Sequence, residues 1–308
     1  METIILPVDR NLIEKELNDE TFIRDTNNGK NKIYVITHHN SPNTLREIGR
    51  LREISFRDAG GGTGKSLDID EYDTSEVPFK QLIVWNPRDK EIIGGYRFIH
   101  CKELPLNEDG TIRTPTARLF WYSKKFMEEY IPYTIELGRS FVQPFYQPTI
   151  NIRAGMYSLD NLWDGLGAVV IDHPDAKFLF GKVTMYPHFD KLARDLILYF
   201  ISKYFPDKDE LVRPHDPLPL GTPKKILESI FAGCNYDENY KILVQKIRTL
   251  HEGIPPLFNA YMNLSPTMRY FGTAMNTHFG NVEETGIIVT VKDIYDYKKD
   301  RHISTYKK

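Results

Sequence analysis

The chain has 308 residues and a formal net charge of -2, enough length for an ample core and no global basic field that would draw it to nucleic acid. Its 18 Tyr and 17 Phe fit a packed globule with apolar pockets. Cys101 and Cys234 have neither metal-ligand spacing nor a disulfide framework and read as two ordinary buried thiols. The stretch Met1–Pro7 lacks the basic region and apolar run of a signal peptide, and no apolar stretch reaches membrane-spanning length. A cytoplasmic protein is expected, with peripheral contact at the inner face of a membrane left open.

Residues 1–31 are polar and end in the turn signal Asn27-Asn28-Gly29-Lys30. Lys32–Thr37 reads as a short strand. Ser41-Pro42 opens a helix whose Leu45, Ile48, Leu51, Arg52 and Phe56 share one face. A glycine-rich, acidic loop covers Asp58–Glu76. Phe79–Trp85 and Ile92–Ile99 flank the turn Asn86–Lys90 and predict a hairpin. A short helix near Ser123–Tyr130 then leads to the stretch Tyr133–Val142, bounded by Pro132 and Pro144 and alternating like a strand.

After that strand, Ser158 is placed to cap a helix through Leu162, Trp163, Leu166 and Val170, with Asp160 near its positive end. Ala176–Met185 reads as a strand and Asp190–Tyr204 as an amphipathic helix. Pro206–Pro223 is a proline-rich surface loop. Helical patterns at Lys224–Phe231, Asn239–Leu250 and Pro256–Leu264 form an insert near residues 205–264. Strands at Thr267–Thr277 and Thr285–Val291 and a charged, frayed tail close the chain. The expected fold class is α/β, a mixed sheet with flanking helices, in a single domain over residues 1–308.

In Tyr133–Val142, alternation puts Ile135, Leu137, Arg139 and Phe141 on one face and Thr134, Glu136, Gly138, Ser140 and Val142 on the other. A charge on each face of a core strand needs a partner, because unpaired buried charge is costly. Gly138 leaves its face bare, as where a ligand or another backbone approaches. A structural ion pair and a functional site both satisfy these observations.

Ala59–Ser66 fits a relaxed phosphate-loop pattern. It follows a helix instead of a strand, and acidic residues come after it, so a hinge over a site is the better reading; nucleotide binding through residues 59–66 stays as the alternative. His251-Glu252 begins a zinc-protease pattern that fails at Pro255, and no metal site is proposed.

Four segments stand in order: Arg52 with Phe56; Asp68, Asp70 and Asp73; Gly94-Gly95-Tyr96-Arg97; and Glu136-Leu137-Gly138-Arg139. This set resembles the acyl-homoserine-lactone synthases. The run Glu136–Val142, followed by Trp163-Asp164-Gly165-Leu166, looks more like the hemolysin-like, lyso-ornithine- and lyso-glycine-lipid synthase branch of the GCN5-related N-acyltransferase (GNAT) superfamily. The resemblance covers roughly residues 32–200 and implies a GNAT-like fold. It implies catalytic roles for Glu136 and Arg139. Substrate-binding roles would fall to Arg52, Phe56, Asp70, Asp73, Arg97, Ser140, Phe141, Val142 and Trp163, with Asp70 and Asp73 paired to Arg52, Arg97 or Arg139.

The implied reaction moves a fatty acyl group, 3-hydroxylated in the branch, from acyl carrier protein to an amino acid amine, giving a lipoamino acid precursor. Glu136 would take the amine's proton, and amides near Phe141 and Val142 would meet the oxyanion. No cofactor is bound beyond the donor thioester. Superfamily acetyltransferases bind coenzyme A pyrophosphate on a glycine-rich loop, but Gln143–Pro148 has two prolines and no glycine, which favours a carrier-protein donor over acyl-coenzyme A. Arg153, Lys177 and Lys182 are candidate carrier-docking residues or a solvated basic rim. A non-catalytic acyl-binding module is the remaining alternative.

Overall fold

A computed structural model describes residues 1–307. Its framework is an eight-stranded sheet in the order β1-β2-β3-β4-β6-β7-β10-β9. The first strands are β1 (Phe22–Asp25), β2 (Lys32–Ile36), β3 (Lys80–Asn86) and β4 (Glu91–His100). The alternating segments on either side of Asn86–Lys90 thus pair as the expected antiparallel hairpin. The short β5 (Phe120–Tyr122) leaves this sheet, and β6 (Thr134–Val142) returns to its centre against β4.

From β6 the chain passes through the short α4 (Ile152–Gly155) and α5 (Ser158–Asp172) into β7 (Phe178–Met185). That crossover makes β6–β7 the one parallel pair among the described strands. The terminal hairpin of β9 (Arg269–Asn276) and β10 (Val282–Thr290) then adds antiparallel to β7. No helix among the described residues is long and apolar enough to cross a membrane.

Two helical layers sandwich the sheet. α2 (Pro42–Asp58) buries Leu45, Ile48 and Phe56 against Ile83, Trp85 and Phe141. The opposite face takes α5 and α6 (Lys191–Tyr204), whose Leu162, Leu166 and Ile197 pack on Leu82, Phe98 and Val183. Gly165 permits that approach, since a Cβ there would lie 2.7 Å from Leu82 Cδ2. The expected helical insert is present as α7 (Lys224–Ile230), α8 (Tyr236–Thr249) and α9 (Pro256–Met262). These helices extend the same core through Leu227, Leu243 and Phe258.

Several expectations are corrected. The polar N-terminal stretch contains α1 (Arg10–Glu16), whose Ile13 packs beneath α2, and the edge strand β1. Seven residues are too few to display a helical period. The acidic loop holds α3 (Glu71–Thr74), started by an Asp70/Asp73 capping box. Part of Pro206–Pro223 is β8 (Val212–Pro214), paired with β5 as a second small sheet. Ser158 does not cap α5; its hydroxyl donates to the Tyr146 carbonyl at 2.9 Å. The tail forms α10 (Asp296–His302), where His302 Nδ1 lies 2.8 Å from Asp164 on α5. Cys101 is buried as expected, but Cys234 is exposed.

The faces of β6 also differ from simple alternation. Arg97 opposes Gly138 and Gly95 opposes Phe141, so two β6 residues stand against Tyr96 alone. This bulge centres on Arg139, whose φ of +52° lies in the left-handed region. Beyond it the sides exchange: Ile135 belongs to the α5-side core and Phe141 to the α2-side core. A period-2 reading has no means of seeing an extra residue.

Candidate active site

The sheet opens at its centre. β6 and β7 pair from Thr134–Phe178 only as far as Leu137–Gly181, yet β6 continues to Val142 and β7 to Met185. The opening forms a cavity of about 300 Å³ that is lined from both faces of the sheet. On the α2 side lie Phe56, Arg97, Glu136 and Phe279; on the α5 side lie Tyr96, Leu162, Trp163 and Tyr261. One half is therefore charged and the other apolar.

Backbone register fixes what the strand edge presents there. The Gln143 amide donates to the Ile93 carbonyl at 3.0 Å, toward β4. Strand alternation then turns the Val142 amide to the opposite edge, where β7 has departed. Of the two amides expected to meet an oxyanion, that of Val142 has this orientation, whereas Phe141 shares the parity of Gln143 and faces β4.

Three arginines and three aspartates form a closed charge cluster beneath the cavity. Arg97 donates to both oxygens of Asp70 at 2.6 and 2.9 Å and lies 3.0 Å from Asp73. Arg52, fully buried on α2, reaches Asp73 at 3.3 Å and also donates to Gln81. Arg139 Nε is 2.8 Å from Asp68 and its Nη2 3.8 Å from Asp70, with the guanidinium 4.0 Å over the Phe279 ring. Burial would raise the Asp73 pKa, but Arg97 and Arg52 outweigh it and hold the carboxyl far below its usual range. Asp68, equally buried but without a hydrogen-bond donor, stays above its usual range because desolvation outweighs Arg139.

Glu136 sits apart from this cluster. Its Oε1 accepts from the Thr116 amide at 3.1 Å and the Thr116 hydroxyl at 2.7 Å. Its Oε2 has no hydrogen-bond partner among the described residues, and the side chain lines the cavity. Burial raises its pKa, an effect that Lys182 and the Thr116 hydrogen bonds only partly offset. A carboxyl in this state can receive a proton from a bound ammonium, as a general base requires.

The structure thus brings together Arg52, Asp70, Asp73, Arg97 and Arg139 as paired, and sets Phe56, Glu136, Ser140, Phe141, Val142 and Trp163 on the cavity wall. No close approach demands a glycine at 138, since a Cβ there would be 3.7 Å from Arg97 Nε, an ordinary contact. Lys182 belongs to the cavity wall instead of a docking rim. Lys177 sits at the end of the sheet opposite the opening, its Nζ 3.7 Å from the Tyr133 ring. Sequence reasoning missed Tyr96, Lys182 and Glu284 as cavity residues. Only the placement of β10 beside β7 reveals Glu284.

The glycine loop does not have the form of a phosphate cradle. The Thr63 amide and hydroxyl and the Gly64 amide all donate to the Glu53 carboxylate, so the loop already encloses its own anion. It also leaves the end of α2 instead of entering a helix start.

A mixed sheet parted between two parallel strands, with a buried carboxyl in the gap, is the arrangement that the resemblance to the GNAT class implies. Residues 51–154 match the family described as "Acetyltransferase (GNAT) domain". A glycine N(alpha)-acyltransferase of Phocaeicola vulgatus is 53% identical over 308 residues, covering 100% of this chain and 94% of its own. One of Bacteroides thetaiotaomicron is 54% identical over 306 residues, covering 99% and 91%. A solved coenzyme A-dependent acyl-homoserine lactone synthase, BjaI, aligns over 90% of this chain and 91% of its own at 10% identity and a TM-score of 0.39, too slight a likeness to carry an argument. The chain belongs to the GCN5-related N-acyltransferase superfamily, in one family with the two glycine N(alpha)-acyltransferases.

Proposed function

We propose that the protein transfers a fatty acyl group from the phosphopantetheine thioester of acyl carrier protein to the amine of glycine, giving an N-acylglycine. The carrying observation is the cavity through the opened sheet, polar around Glu136 and apolar around Trp163 and Tyr261. The names of the two relatives support glycine as acceptor.

In this reading the acceptor enters as an ammonium and loses a proton to Glu136. The freed nitrogen attacks the thioester carbonyl; the C–N bond forms, the oxyanion meets the Val142 amide, and the C–S bond breaks as the thiolate leaves and takes a proton. Of the two residues expected to be catalytic, only Glu136 acts on the substrate in this reading; Arg139 becomes a positioning residue. Glu136 is the base, and Arg139 holds the bulged strand beside Asp68 and Asp70.

The segment after β6 supports a carrier-protein donor over coenzyme A. The amides of Gln143, Tyr146, Gln147, Ile150 and Asn151 donate to carbonyls within the protein, and Pro144 and Pro148 have none. Few donors remain to hold a diphosphate. Beside this segment, Arg153 stands exposed among Phe145, Ile150, Ile152 and Met156, each more than half exposed, a surface suited to an acidic carrier with an apolar contact.

The test is incubation of purified protein with glycine and an acyl carrier protein thioester, reading products by mass. N-acylglycine from wild type, with a rate reduced on the order of a hundredfold in Glu136→Gln, is expected. Thioester binding without any acylated amine would instead indicate a non-catalytic acyl-binding module.

A further inference from the structure

The Arg52, Arg97 and Arg139 charges are matched one for one by Asp68, Asp70 and Asp73. The remaining charged side chains on the cavity wall are not balanced. Lys182 faces two carboxyls, Glu284 with Oε2 at 3.0 Å and Glu136 across the opening. All three are largely buried.

Register places them together. Glu136 opposes Phe180 on β7, and Lys182, two residues on, shares that face as the first β7 residue past the last β6 pair. Glu284 opposes Thr184 on β10, again on the same face. The Lys182 ammonium has three donors, of which one goes to the Pro115 carbonyl at 3.0 Å and one faces Glu284, leaving one for a ligand oxygen. Glu284 Oε1 accepts from Asn276 at 3.0 Å, while Oε2 has the ion pair but no hydrogen bond.

We propose that Lys182 and Glu284 form a clamp for an amino acid zwitterion, Lys182 holding the α-carboxylate and Glu284 the ammonium, so that the amine is presented to Glu136. The proposal rests on the acyl-transfer reading above. The ammonium supplies the positive charge that this group of one cation and two carboxyls lacks. The carboxylate occupies the remaining Lys182 donor, so a bare amine binds less well. Glu284 remains an anion because Lys182, Asn276 and Arg139 together outweigh its desolvation, whereas Glu136 is pushed the other way. The two carboxyls are thus suited to different tasks, one to bind charge and one to accept a proton.

The experiment compares initial rates with glycine and with glycinamide, which has the amine but no carboxylate, at fixed acyl donor. Wild type is expected to prefer glycine. In Lys182→Met the ratio of kcat/KM for glycine to that for glycinamide should fall roughly tenfold to a hundredfold, the loss of one charge-assisted hydrogen bond, with most of it in KM for glycine. Because Lys182→Met leaves Glu284 buried without its cation, the double variant Lys182→Met/Glu284→Gln is measured beside it and should show the same collapse of the ratio. A ratio unchanged in both variants, or equal losses for the two acceptors, overturns the clamp. Failure of wild type to acylate glycine would overturn the acyl-transfer reading itself, and the clamp with it.

Discussion

Arg139 bears the heaviest demands of any single residue. It sits in the left-handed region at the bulge, and its guanidinium is the nearest cation to the fully buried Asp68. Removing it in Arg139→Ala leaves that carboxyl unpaired, and about 3–5 kcal/mol of stability should be lost near neutral pH. Asp68 would then titrate still higher in the folded state, so the folded form would bind more protons than the unfolded one. The sign follows: the penalty shrinks as pH falls through the carboxylate range. Urea melts at two pH values check this, and Arg139→Ala/Asp68→Asn should regain most of the loss. Glu136 gives a second prediction of the same sign. Its folded pKa is raised by burial, so its ionisation withdraws stability as pH climbs from the ordinary glutamate range through the raised value. Glu136→Gln should therefore melt above wild type near neutrality, with the gap closing in acid. Both residues were legible in the sequence, because a charge on a core strand is conspicuous. Lys182 stands out in the sequence only as a candidate docking residue and Glu284 not at all, because their pairing appears only when β7 and β10 are assembled.

Among the elements, β6 owes its position to the glycines of β4. A Cβ on Gly94 would lie well inside van der Waals distance of the Phe141 carbonyl and 3.1 Å from Val142 Cα. Gly94→Ala should thus cost about 1–3 kcal/mol and displace the Val142 amide, lowering turnover even at temperatures where the variant is fully folded. Unchanged melting and turnover would show that the strand can shift without consequence. The hairpin β3–β4, helix α2 and strand β6 were each readable from periodicity and turn residues. Elements defined by non-local pairing were not. β8 has three residues and is a strand only because β5 lies beside it, and the bulge exists only against Tyr96. The tail looked frayed because its charges are exposed, yet His302 tethers it to Asp164, a contact between positions far apart in the chain.

At the scale of the whole molecule, the opened sheet assigns chemistry to its two faces: charged groups toward α2, apolar walls toward α5 and α9. In the proposed reaction the acyl chain would lie along the second and the amino acid in the first. The committed amides after β6 lead to a prediction about the donor, namely far higher kcat/KM with acyl carrier protein than with the same acyl group on coenzyme A. That advantage should shrink as salt rises and screens the encounter with an acidic carrier. Initial rates with both donors at two ionic strengths check it; equal efficiency would reassign the donor and leave the catalytic site in place. In the proposed reaction Glu136 receives the ammonium proton, and the pH dependence of kcat at saturating glycine tests that most directly. Wild type should show a rising limb set above the ordinary glutamate range, ending in a plateau once Glu136 is ionised. In Glu136→Gln the rate should be low and that limb absent. The same limb at undiminished rate in the glutamine variant would contradict the account.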